Sequence, residues 1–128
     1  MMQVRSSVKY SPIHGLGCFA EEDIHEGQVV WEFDPRLDQV IDAKELPSFP
    51  PAVVEFLKMY CYGQEEGNKR IMILCGDHAR HMNHTTTPNL LEVSGPNGVN
   101  IAAREIKKGE ELTCDYTAFD LDVQEKLR

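Results

Sequence analysis

The chain lacks any apolar stretch able to cross a bilayer. Its longest apolar runs, Val29 to Trp31 and Ile71 to Cys75, fall far short of the roughly 20 residues a spanning helix needs. Met1 to Tyr10 has no signal-peptide core. These absences lead us to expect a protein without membrane contact, cytoplasmic, or nuclear if the cell is eukaryotic. Paired cysteines are missing as well: Cys18, Cys61, Cys75 and Cys114 are scattered, with no C-x-x-C spacing. That pattern argues against a zinc ribbon and a disulfide framework, and predicts free, mostly buried thiols. Positive charge is scarce, with 13 Lys and Arg against 21 Asp and Glu and a formal net charge of -8. A phosphate backbone would be repelled, so nucleic acid is not expected as a direct ligand. The same field favours a Lys-rich protein or peptide, although acidic charge also serves solubility alone. Linkers and low-complexity tracts are absent, and 128 residues suffice for one core but not two. Residues 1–128 are therefore expected to form a single domain. Neither a G-x-S-x-G elbow nor a P-loop occurs.

What is present is a succession of short strands. Val4, Ser6, Val8 and Tyr10 alternate with Arg5, Ser7 and Lys9, the period of a strand. Ser11-Pro12 and Gly15-Leu16-Gly17 break it. Cys18 to Ala20, Gln28 to Phe33 and Ile71 to Leu74 read as further strands. Between them, after Pro47, Pro50 and Pro51, the residues Val53, Leu57, Tyr60 and Cys61 recur at helical spacing and predict one central helix, with Gly63 as its stop. Glu65 to Lys69 reads as a polar turn. Leu90 to Val93 and Val99 to Ala103 flank Ser94-Gly95-Pro96-Asn97-Gly98, a hairpin turn. Ile24-His25-Glu26-Gly27 and Ile106-Lys107-Lys108-Gly109 echo each other, which we attribute to shared turn chemistry.

Two runs carry the functional signal. Arg80 to Asn89 (R-H-M-N-H-T-T-T-P-N) concentrates hydrogen-bonding groups in a stretch with no regular periodicity, the character of a binding loop. Glu111 to Tyr116 (E-L-T-C-D-Y) reads as a half-buried strand that ends by presenting a phenol. In order, with the Gly15-Leu16-Gly17 turn, these runs resemble the SET domain of protein lysine methyltransferases. The family patterns are G-x-G, R-F-I-N-H-S-C-x-P-N and E-L-x-x-D-Y, and the resemblance spans about Val4 to Tyr116. His81 stands where the family has phenylalanine, and Thr85 and Thr86 where it has serine and cysteine.

The resemblance implies a mainly β fold, the β-clip or SET fold, with several small sheets, one main helix and a knot-like crossing of the last strand with the Asn83 loop. It implies S-adenosyl-L-methionine as cofactor, bound by Gly15, Leu16, Gly17, Asn83 and the backbone at His84. Tyr116 becomes the catalytic residue, orienting a lysine amine for in-line methyl transfer. Phe33, at the place of the family's Y-x-G tyrosine, and Tyr62 are expected to line the substrate channel, with Tyr60 a further groove candidate. The chain reads as a small stand-alone SET domain without pre-SET or post-SET zinc segments. Phe119 is then expected to cover the adenine or the channel mouth, and a homodimer is another way to supply a missing wall. Glu111 and Asp115 are expected to satisfy backbone donors or pair with Arg80 or Arg104, and Asn89 to satisfy loop backbone. The implied activity is methylation of a basic protein such as a histone; the rival is a SET-type cofactor- or peptide-binding module without turnover. Cys75, His78, His81 and His84, three apart, raise a metal site as a competing idea, but no metal is expected because the stretch is a loop.

Overall fold

The structure, a computed structural model, describes residues 1–93 and 98–116. Most of the hairpin turn predicted at Ser94 to Gly98, and the tail that holds Phe119, lie outside the described residues. Three small sheets dominate. The first contains β1 (Ser6–Tyr10), β2 (Leu16–Ala20), β7 (Asn83–His84) and β10 (Glu111–Cys114), in the order β1-β2-β10-β7. The second orders β3 (Val29–Glu32), β9 (Val99–Ala102) and β8 (Leu90–Val93) as β3-β9-β8. The third sets β6 (Lys69–Leu74) between β4 (Gln39–Asp42) and β5 (Tyr62–Glu66). The expected mainly β architecture of several small sheets is thus the observed one.

The central helix α1 (Pro51–Tyr60) begins where Pro51 supplies a preset φ at the first turn, a position with no use for its missing N–H. Its end corrects the expected stop. Cys61 turns extended while its N–H still donates to the Leu57 carbonyl at 2.9 Å, so no left-handed glycine is needed. Gly63 instead lies within β5, opposite Met72. Leu57 is the buried helix residue, packed with Cys61 and Met72, whereas Val53 faces outward. The predicted turn at Glu65 to Lys69 is also corrected: β5 runs to Glu66 and β6 starts at Lys69, leaving a tight two-residue link. Strands β4 and β5 went unpredicted. Their polar content, such as Gln64-Glu65-Glu66, masks the period of an edge strand.

The main core gathers Cys18, Ala20, Ile24, Val30, Leu90, Ile106 and Leu112, drawn from the first and second sheets and the links between them. Here the internal echo becomes physical. Ile24 and Ile106 form an antiparallel bridge, exchanging N–H to carbonyl bonds of 2.8 and 2.9 Å, and both side chains are fully buried. All four cysteines are buried, and none forms a disulfide among the described residues. Burial pushes the Cys18 thiol up to about 12, so it packs as a small apolar group.

Candidate functional site

The Asn83 loop and the last strand meet edge to edge. Strands β7 and β10 pair in parallel, Asn83 opposite Thr113 and His84 opposite Cys114. The Thr85 N–H donates to the Cys114 carbonyl at 3.1 Å. Alternation along a strand then directs the N–H and carbonyl of His84 away from β10, and β7 is the last strand of its sheet. His84 therefore offers one backbone donor and one acceptor along an edge that no described strand pairs with.

Asn83 is buried, and its amide nitrogen sits among three acceptors: the His14 carbonyl at 3.0 Å, the Leu16 carbonyl at 3.2 Å and Glu111 Oε2 at 2.9 Å. This hub ties the glycine turn to the loop and to β10. Glu111 also accepts from the Ser11 hydroxyl at 2.7 Å. A Cβ at Gly17 would fall 2.5 Å from Glu111 Oε2, so glycine at that position leaves the carboxylate its place. The expected arginine pairing of Glu111 is corrected here: Arg104 reaches Glu110 instead, and Arg80 donates to the Cys75 carbonyl at 2.9 and 3.1 Å. Short side-chain donors from the first sheet occupy Glu111 before a long guanidinium can.

Asn89 fulfils its expected part on a different backbone. Its amide donates to the Glu111 carbonyl at 2.8 Å, and its Oδ1 accepts the Thr113 N–H at 2.9 Å, so it braces β10 itself. At the strand end, the Tyr116 N–H donates to His84 Nδ1 at 3.0 Å. An accepting Nδ1 carries no proton, so the 3.6 Å approach of Asp115 to the same nitrogen is a polar contact and not an ion pair. The Tyr116 hydroxyl donates to the Met82 carbonyl. Its ring lies 5.3 Å from that of His84. Tyr116 is held at backbone, ring and hydroxyl together.

Beside Tyr116 opens a narrow cavity of about 50 Å³, whose walls include Trp31, Tyr60, Tyr62, Arg80 and Met82. Such a space admits a few waters or a slim chain, each water needing roughly 10–15 Å³. Tyr62 and Tyr60 are among its walls. Phe33 is not; it packs on the cluster of Trp31 and Tyr62, and its N–H donates to the Gly98 carbonyl at 3.2 Å. Trp31, two residues earlier, takes the wall position, its ring 6.2 Å from that of Tyr62 and nearly perpendicular. The sequence expectations also omit Glu92 and Asn100, both in the lining. A signal for them existed in the sequence, since they are the polar exceptions within two otherwise apolar hairpin strands. Burial raises the Glu92 carboxyl to about 7, a rise that the Val99 N–H partly opposes.

Among the described residues, no three His, Cys, Asp or Glu side chains converge on a metal position. His78 faces Ser6, His81 stacks edge-on at 5.4 Å from Tyr60, and His84 serves Tyr116, so the regular spacing in sequence scatters in space.

Comparison with known proteins follows the same lines. The SET-domain family profile matches residues 15–117, from the glycine turn through Tyr116. An H3 lysine-4 specific histone-lysine N-methyltransferase of Aspergillus oryzae is 31% identical over 113 residues, covering 83% of this chain and 9% of its own length. The N-lysine methyltransferase KMT5A-A of Danio rerio is 30% identical over 120 residues, covering 85% of this chain and 34% of its own. The chain thus spans about a third or less of these relatives. A solved structure of a humanized mutant of the Chaetomium thermophilum Polycomb Repressive Complex 2, bound to the inhibitor GSK126, shares the fold with a TM-score of 0.66 at 24% identity. That match covers 94% of this chain and 16% of the other. With the glycine turn, the Asn83 loop and the tyrosine-bearing strand meeting at one place in this fold, the chain belongs to the SET-domain family.

Proposed function

We propose that this chain transfers a methyl group from S-adenosyl-L-methionine to the side-chain amine of a lysine in a basic protein, such as a histone or a histone-like substrate. The observation that carries this reading is the placement of Tyr116, whose hydroxyl is fixed on the Met82 carbonyl at the wall of a channel of about 50 Å³. With its proton committed to that carbonyl, the phenolic oxygen acts as an acceptor toward the cavity. An amine entering there meets an oriented lone pair, which aligns the nitrogen without covalent chemistry. The aromatic walls exclude bulk water, and desolvation lowers the pKa of an entering lysine from about 10.4 toward the neutral form that reacts.

The cofactor reading rests on the other side of the same junction. Adenine presents one donor and one acceptor along an edge, the complement of the His84 N–H and carbonyl on the side of β7 away from β10. Gly15, Leu16 and Gly17 bring bare main chain to this place, where the carbonyls of His14 and Leu16 already converge with Asn83. These residues would hold S-adenosylmethionine, which supplies a methyl group on a sulfonium. The acidic net charge of -8 favours approach of a Lys-rich protein.

The test is incubation with methyl-labelled S-adenosylmethionine and mixed core histones and other basic proteins, alongside calorimetry of cofactor binding. Cofactor binding with label in protein supports the enzyme. Cofactor binding with no label in any protein supports a binding module instead.

A further inference from the structure

The second sheet carries a row of side chains that the account so far leaves without a task. Glu92 on β8 lies directly opposite Asn100 on β9, and Asn100 lies opposite Trp31 on β3. Directly opposed residues share a face, and all three line the cavity that Tyr116 borders. Two of them hold buried polar atoms without a hydrogen-bond partner among the described residues: the Trp31 Nε1–H, a donor, and Asn100 Oδ1, an acceptor. Both atoms are closed to a water-sized probe, so they mark a tightly packed polar stretch of the wall. The cavity beside them has room for a few waters.

Glu92 completes the row. A Cβ built on Gly98 would meet Glu92 Oε1 at 2.9 Å, Trp31 Cζ3 at 3.4 Å and the Tyr62 hydroxyl at 3.5 Å. The carboxylate, the indole and a phenol therefore converge on the space that Gly98, with φ +111°, leaves open.

We propose that Glu92 is the proton acceptor of the reaction, receiving the proton of the incoming lysine ammonium through water in the cavity that Glu92 and Tyr116 both line. This rests on the lysine methyltransferase reading above. A cavity water that accepts from the ammonium donates onward to the carboxylate. In the transfer, the ammonium N–H bond breaks and its electron pair stays on nitrogen as the lone pair that reacts. The water passes one proton on, and a carboxylate oxygen of Glu92 gains an O–H bond. Glu92 later returns that proton to solvent. A carboxyl that titrates near neutrality suits this duty, because it is ionised enough to accept and basic enough to hold a proton. The other titratable groups facing the cavity are Tyr60, Tyr62, Tyr116, Cys75, Cys114 and Arg80. Burial pushes the Cys75 thiol up, away from this range.

The chain has one tryptophan, so its fluorescence reports on this row alone. Wild type and Glu92→Gln are compared from pH 5 to 10 in two measurements: Trp31 emission of the protein without added ligands, and labelled-methyl transfer to core histones, with cofactor affinity as a control. We expect a Trp31 step with a midpoint near pH 7 in wild type and none in Glu92→Gln. At pH 7.5 the variant should transfer about 10–100-fold more slowly, with cofactor affinity unchanged, and its rate should climb with pH toward the lysine's own titration. Glu92→Asp should recover part of the rate. A Trp31 step that persists in Glu92→Gln, or a variant with the wild-type rate and pH profile, overturns the proposal while leaving the methyltransferase reading intact. A wild type that shows the Glu92-dependent step yet transfers no methyl to any basic protein overturns both.

Discussion

The junction at Asn83 and the row at Trp31 sit in the same molecule and treat polar atoms in opposite ways. At the junction the Asn83 amide and the Glu111 carboxylate are matched to protein partners, and Asn89 is bonded to β10 through its amide and its carbonyl oxygen. Along the row, a buried indole donor and a buried amide acceptor have no hydrogen-bond partner among the described residues, and a carboxyl is lifted toward neutrality. A satisfied network stabilises one geometry, whereas buried groups left unsatisfied cost stability. The difference separates what holds the site from what works in it. Tyr116 belongs to both, since it is fixed by the junction and borders the cavity.

The largest effect should come at that shared residue. Tyr116→Phe removes the oriented oxygen and should slow methyl transfer about 10²–10³-fold, or about 3–4 kcal/mol in the barrier. Cofactor affinity by calorimetry should stay within about threefold, because the backbone edge of His84 is untouched. On the satisfied side, Asn83→Ala strips a donor from two carbonyls and a carboxylate, and urea unfolding should show a loss of about 2–4 kcal/mol. Gly98→Ala forces a left-handed alanine against Glu92 and should cost about 1–3 kcal/mol while displacing the Trp31 emission step.

Glu92→Gln should move stability the other way, and only at higher pH. The folded protein holds the Glu92 proton up to about pH 7, and the unfolded chain releases it near about pH 4.3. The folded state therefore loses stability as pH rises between those values, and the loss is complete above them. Glutamine avoids it, so the variant should gain about 1–2 kcal/mol at pH 8 and almost nothing at pH 4. The smallest effect concerns Phe33, which packs behind Trp31 and does not line the cavity. Phe33→Tyr should leave the methylation state of the product unchanged by mass spectrometry.

The junction was legible in the sequence because its residues are adjacent in the chain or follow a fixed motif. Asn83-His84, Asn89 and Glu111 to Tyr116 stand in the order that the resemblance requires, and their meeting in space followed. The row was not legible in the same way. Its members come from Trp31, Glu92 and Asn100, and only strand register brings them level. A one-residue slip in either pairing would turn Asn100 to the other face. Trp31 lines the cavity and Phe33 does not because β3 ends at Glu32, so Trp31 is held level with Asn100 by the pairing while Phe33 lies past it, which a motif alignment alone could not fix. Gly63 misled for a related reason: glycine often stops a helix, but Cys61 had already turned the chain.

The central claim is that this cavity receives a lysine and that its nitrogen takes the methyl group. Tandem mass spectrometry of a basic protein labelled by the wild-type chain measures that directly. The account predicts the label on lysine Nζ, and its near disappearance with Tyr116→Phe under the same conditions. Label on another side chain, or equal lysine labelling by Tyr116→Phe, would contradict it.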